Sequence, residues 1–156
     1  MSHTVILALH IAVGVLGVAL GPFAIVHVAQ GRVNWLASAY HLSVALVCLS
    51  AVGLAALDPA RLWWFVLIAT GSYFFAGRAM RDIRSARSQW QARAVRGFGG
   101  AYIALWTAVV VVSLPGQPLL WAIPTAIGIP ALEWFAARIV RRLRAQSIDS
   151  ADLTAT

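Results

Sequence analysis

The chain has 156 residues, of which 61% are hydrophobic and 11% charged, whereas a soluble domain runs near half apolar and a quarter charged. Such a chain cannot cover itself with polar surface, which excludes a water-soluble globule. Five apolar helices of about 20 residues would use roughly 100 positions, which leaves no room for a separate catalytic domain. Twelve Arg, no Lys and five acidic residues give a net charge of +7. Nucleic acid would require a basic face on a soluble fold, so it is not the expected partner. Here the arginines flank apolar runs and point to anionic lipid headgroups instead.

A single transmembrane domain over 1–156 is predicted, all-α, with spans at about 4–30, 35–57, 62–77, 98–114 and 119–140. The first run has no Arg before it and is too long for a signal-peptide core, so it reads as a retained helix. Gly31, Arg32 and Asn34 mark the turn after it, and Asp58-Pro59 ends the second run. The third run is short but lies between Arg61 and Arg78, whose stems can snorkel to the headgroups. Trp63 and Trp64 suit an interfacial belt. Pro115, Gly116, Gln117 and Pro118 connect the last two runs.

With five spans, the first loop, the third loop and the C-terminal tail share one side and carry Arg32, the six arginines from Arg78 to Arg96, and Arg138, Arg141, Arg142 and Arg144. Only Arg61 falls opposite. The excess of arginine on cytoplasmic loops therefore places the N-terminus outside and the C-terminus in the cytoplasm. Between the third and fourth spans, Ala79, Ile83, Ala86, Trp90 and Ala94 recur at helical spacing. Arg78, Arg81, Arg84 and Arg87 flank that stripe, and Arg93 and Arg96 follow, so an amphipathic Arg-rich helix is predicted there, either extending the third span or lying in the inner interface, touching lipid or a partner. Asp82 is expected to pair with Arg78 one turn earlier.

Ionisable side chains inside a bilayer are costly and mark candidate sites, here His10, His27, His41 and Glu133. His27, His41 and Glu133 each fall within roughly 10 Å of the inner boundary at 1.5 Å per residue. Tyr40, Tyr73 and Tyr102 lie at similar depth, so all five helices bring a polar group to the inner half. Three chemistries fit that set. His27 and His41 can be the axial ligands of one haem b. With Glu133 they make a His-His-carboxylate metal set. Glu133 alone can relay protons or substrate, helped by a carbonyl that Pro130 frees. Equally, such histidines hydrogen-bond a carbonyl and such tyrosines belong to the interface. The single Cys48 lies inside an apolar run and makes no disulfide, and a chain without Lys has no phosphate-binding loop of the Gly-Lys type.

Several motifs carry a resemblance. They are Leu9-His10, Gly17 and Gly21 in the first helix, Gly31-Arg32 after it, and Ser72-Tyr73-Phe74-Phe75 with Gly77-Arg78. The run from Gly99-Gly100-Ala101-Tyr102 through Ile103-Ala104-Leu105-Trp106-Thr107-Ala108 follows, with Trp121, Pro124, Gly128 and Pro130 towards the end. On these the chain resembles a family of bacterial polytopic membrane proteins built on a domain of unknown function. The resemblance implies the bacterial inner membrane and no particular chemistry. Members often carry a His shortly after the Gly-Arg pair, where this chain has Asn34. The function expected from all of this is a small non-enzymatic integral membrane protein, transporter-like or an accessory subunit beside other membrane subunits or copies of itself. The alternative is a haem b redox protein ligated by His27 and His41.

Overall fold

A computed structural model describes residues 2–114 and 117–154, and among these the chain is all-helical. The helices are α1 (Ser2–Ala29), α2 (Trp35–Leu57), α3 (Pro59–Ser85), α4 (Trp90–Ser113), the single turn α5 (Pro118–Trp121) and α6 (Ile123–Thr154). Each boundary has a local cause. Gly31 takes φ +75° after α1, a value that costs glycine nothing. Asn34 then caps α2 by accepting the Leu36 amide at 3.1 Å, which gives this residue a structural task. Pro59 stands at the first position of α3, where its missing N–H is harmless and its ring prevents α2 from continuing. α1 and α6 continue through Pro22 and Pro130.

The stretch from Arg78 to Arg96 extends the third span as far as Ser85, one of the two courses open to it, but it is not one amphipathic helix throughout. It is the end of α3, a turn at 86–89 and the start of α4. Ala86 and Gln89 both adopt left-handed backbone, at φ 46° and 58°, and reverse the chain. Ala79 and Ile83 on one side of that turn and Ala94 on the other are buried, because the two helix ends pack on each other. Asp82 pairs across the turn with Arg93 at 3.3 Å, rather than with Arg78 on its own helix. The cross-helix partner wins because α3 and α4 approach closely enough to leave Asp82 largely buried.

Helices α1 to α4 close a ring, each packed on the next and α4 back on α1, while α6 leans on α4 from outside. Small residues on α4 permit this. A methyl group on Gly97 would stand 2.7 Å from the Phe75 carbonyl oxygen and 2.8 Å from the Ala79 Cβ, so α3 and α4 touch backbone to backbone. Gly99 receives Leu132 of α6, and Gly17 and Gly21 of α1 receive Ser43, Tyr102 and Tyr40. Close approach of this kind is what holds helices together where the surroundings are as apolar as the core.

The outer faces carry the excess hydrophobicity. Phe23, Trp35, Leu49, Leu67, Phe74, Val112, Ile127 and Trp134 are all more than half exposed. A soluble protein does not leave so continuous an apolar girdle in water. α1, α2, α4 and the stretch Leu119–Ile148 are long and apolar enough to cross a membrane. α3 has 27 residues and lies between α2 and α4, but Arg78, Arg81 and Arg84 occupy its last turns. Its uncharged portion is therefore shorter than a full span.

Candidate functional site

The antiparallel ring brings chain ends together in two groups. His3, His10, Asp58, Arg61, Trp64 and Val112 line one recess at the end that holds the α1 N-terminus. At the opposite end Gly31 faces the Gln91 side chain, and the arginines of the α3–α4 turn and of α6 gather there. The inner-half residues singled out by the sequence are at that end, but they do not converge on one cavity. Tyr40 points into the core, fully buried, and its hydroxyl donates to the Phe98 carbonyl at 3.2 Å. Tyr102 packs on Gly21 of α1 and edge-on to Trp106. His27 donates from Nδ1 to the Phe23 carbonyl of its own helix at 2.9 Å.

His41 faces the other way, towards α3. Its ring lies 5.9 Å from that of Tyr73, and the two line a shallow recess with Arg81, Arg84 and Ser85. The His41 Nδ1 is buried there with no hydrogen-bond partner. His27 and His41 therefore belong to different faces. Between their helices Gly17 and Gly21 lie within van der Waals reach of Ser43 and Tyr40, so α1 and α2 leave no slot for a macrocycle. These residues, as placed, do not fit a bis-imidazole haem. Purified protein at full expression is expected to be colourless, and a Soret band abolished by His27→Ala or His41→Ala would contradict this placement. Glu133 lies on α6, away from both imidazoles, and no group of three His, Cys, Asp or Glu among the described residues can hold a metal.

What assembles instead is a groove of about 570 Å³ between α3, α4 and α6. It exists because α3 and α6 both pack on α4, and the residues between them on α4 are small. Gly97, Gly100 and Ala104 form its floor. Ile68, Gly71 and Phe75 of α3 make one wall, and Ile129 and Leu132 of α6 make the other. Its mouth at the arginine-rich end carries Arg78, Arg93, Arg96 and Glu133.

Arg96 grips Glu133 with a fork. Its Nε donates to Oε1 and Oε2 at 3.0 Å each, and Nη2 reaches Oε2 at 2.9 Å. Planar bidentate pairing of this kind is specific to guanidinium and carboxylate. Arg93 is engaged with Asp82, yet its Nε and Nη2 are buried without a well-aligned hydrogen bond. Arg78 forms no ion pair among the described residues. Three guanidiniums against Glu133 and Asp82 leave the mouth one positive charge in excess. Arg87 lies on the exposed turn, outside the groove.

Sequence reasoning named Arg78, Arg93, Arg96 and Glu133 but not the groove that unites them. The signal was the run Gly97, Gly100, Ala104, a small-residue stripe at helical spacing. His10 was named without its partner on the adjacent helix, the Ser50 hydroxyl 2.9 Å from its Nδ1. Comparison with protein-family models, with curated proteins and with solved structures returns no match.

Proposed function

We propose that the chain is a five-span integral membrane protein of the bacterial inner membrane, N-terminus outside and C-terminus in the cytoplasm. It works without chemistry of its own, as an accessory-type unit whose working face is the arginine-rich inner end. The observation that carries this reading is the partition of charge. Eleven of the twelve arginines lie at one end of the bundle, separated from Arg61 by an apolar girdle. Arginine segregated in this way sets orientation. The middle of the ring is filled with Val44, Val47, Phe98, Ala101 and Leu105, which favours a binding or accessory role over a polar conduit.

Orientation is testable by labelling. With Cys48→Ala as background, a membrane-impermeant maleimide applied to intact cells is expected to label His3→Cys and to spare Ser88→Cys until the cells are lysed. The reverse pattern would invert the topology, and labelling of both sites on one side would remove a span.

A further inference from the structure

We propose that the groove between α3, α4 and α6 is a specific site for one anionic phospholipid of the inner leaflet. In it Arg78 and Arg96 take the phosphate, and an acyl chain lies over Gly71, Gly100 and Ala104. Charge is the first argument. The mouth keeps a single positive excess, which a headgroup bearing one negative charge neutralises, and Arg78 has no competing ion pair. Guanidinium groups are suited to phosphate because their planar donors meet two oxygens at once.

Shape is the second argument. Beyond the arginines and Glu133 the groove is mainly apolar, with hydroxyls only from Ser72, Thr107 and Thr125, and its volume falls within the ~300–1,000 Å³ span of small-ligand sites. A free inorganic anion would satisfy the mouth but leave the apolar length unused. A neutral lipid would fill the length but leave the charge unmet. Only a molecule with both parts uses the whole site.

Glu133 has a defined place in this scheme. Its carboxylate occupies the donors of Arg96 when no phosphate is present, so lipid entry is an exchange of partners on one guanidinium, and the released carboxylate is left at the exposed edge of the mouth. The site is distinct from the general basic surface, since Arg81 and Arg84 open into the separate recess beside His41 and Tyr73. The proposal rests on the proposed orientation only for which leaflet supplies the lipid.

Full-length protein is reconstituted in nanodiscs containing phosphatidylglycerol and phosphatidylcholine with matched acyl chains, and retained lipid is counted by native mass spectrometry. One phosphatidylglycerol is expected to be retained in preference to phosphatidylcholine by about tenfold, the scale of one charge-assisted contact. Arg78→Gln combined with Arg96→Gln should bring that preference to near unity, while Arg81→Gln combined with Arg84→Gln should preserve it. Gly71→Leu provides a test that leaves every arginine in place. A methyl group at Gly71 meets nothing within 4 Å, so the larger side chain can enter the groove. Bound lipid should then be lost while the thermal midpoint holds or rises.

Equal retention of the two lipids, or undiminished retention in Gly71→Leu, would overturn the proposal. Displacement by millimolar inorganic phosphate would also overturn it, reducing the groove to a site for a free anion. Nanodiscs expose both faces to lipid, so such a failure counts against the site alone, and reversed maleimide labelling counts against the orientation alone.

Discussion

Gly97→Leu is expected to prevent the bundle from folding, and Gly97→Ala to destabilise it by about 1–3 kcal/mol, the range for overpacking a closed interior. The obstruction is backbone. A Cβ at this position meets the Phe75 carbonyl oxygen at 2.7 Å and the Ala79 amide nitrogen at 3.0 Å, and neither can rotate aside as a flexible side chain can. Relief requires α3 and α4 to separate, which loosens the turn at 86–89, the Asp82–Arg93 pair and one wall of the groove together. Gly77→Ala is the matched control, because a methyl there meets nothing within 4 Å. Removing backbone freedom from a helical glycine at an open site should leave stability unchanged or raise it by about 0.5–1 kcal/mol. Thermal unfolding in a single detergent, followed by circular dichroism, measures both. A Gly97→Ala midpoint at or above that of the unsubstituted protein would dispose of the backbone contact.

Tyr40→Ala should cost about 3 kcal/mol, near the lower end of the range for deleting a buried aromatic ring. The ring is fully buried and meets Phe98 edge-on, with centroids 5.2 Å apart and planes at 83°. In lipid the transfer of apolar surface contributes little to helix association, so the loss is carried by broken contacts and the cavity left between α1, α2 and α4. Tyr40→Phe keeps the packing and removes only the 3.2 Å bond to the Phe98 carbonyl. Its expected cost is about 0.6 kcal/mol, the mean for a hydrogen bond between membrane helices. The same melting experiment separates the two, and a Tyr40→Phe midpoint as low as that of Tyr40→Ala would assign the role to the hydroxyl.

Helix ends were legible where turn chemistry was strong. Asn34 and the Asp58-Pro59 pair bounded the second span at Trp35 and Leu57, and α2 begins and ends there. Ends marked by charge were not legible. An apolar run stops being countable at its first arginine, whereas the helix itself continues, so the third span grew from 62–77 to Pro59–Ser85 and the fourth gained Trp90 to Gly97. The Arg-rich stripe misled for a related reason. Ala79 and Ile83, then Trp90 and Ala94, keep helical spacing across a turn because each pair is the buried edge of a different helix.

The site was legible in its parts only. Depth follows from counting residues, which put Arg96 and Glu133 at one level, and the two side chains meet. Rotation about the helix axis does not, because a membrane helix is apolar on its lipid face and on its core face alike. That is why Tyr40 and His41, adjacent in sequence, were grouped together although one enters the core and the other turns to α3. It is also why Asp82 was assigned a neighbour on its own helix when its partner stands on the next one.

The unequal attachment of α6 bears on how the molecule is made. Every contact that closes the ring of α1 to α4 lies within the first 113 residues, so a nascent chain can complete that ring before α6 leaves the ribosome. The late helix then docks along one seam, Leu132 against Gly99 and Ile103 against Gly128. Until it arrives, the α4 face is open to the bilayer, and a lipid can already rest on the future floor of the groove. The lipid proposed for the groove would then be enclosed as a step of biogenesis, without having to thread its way into a finished protein.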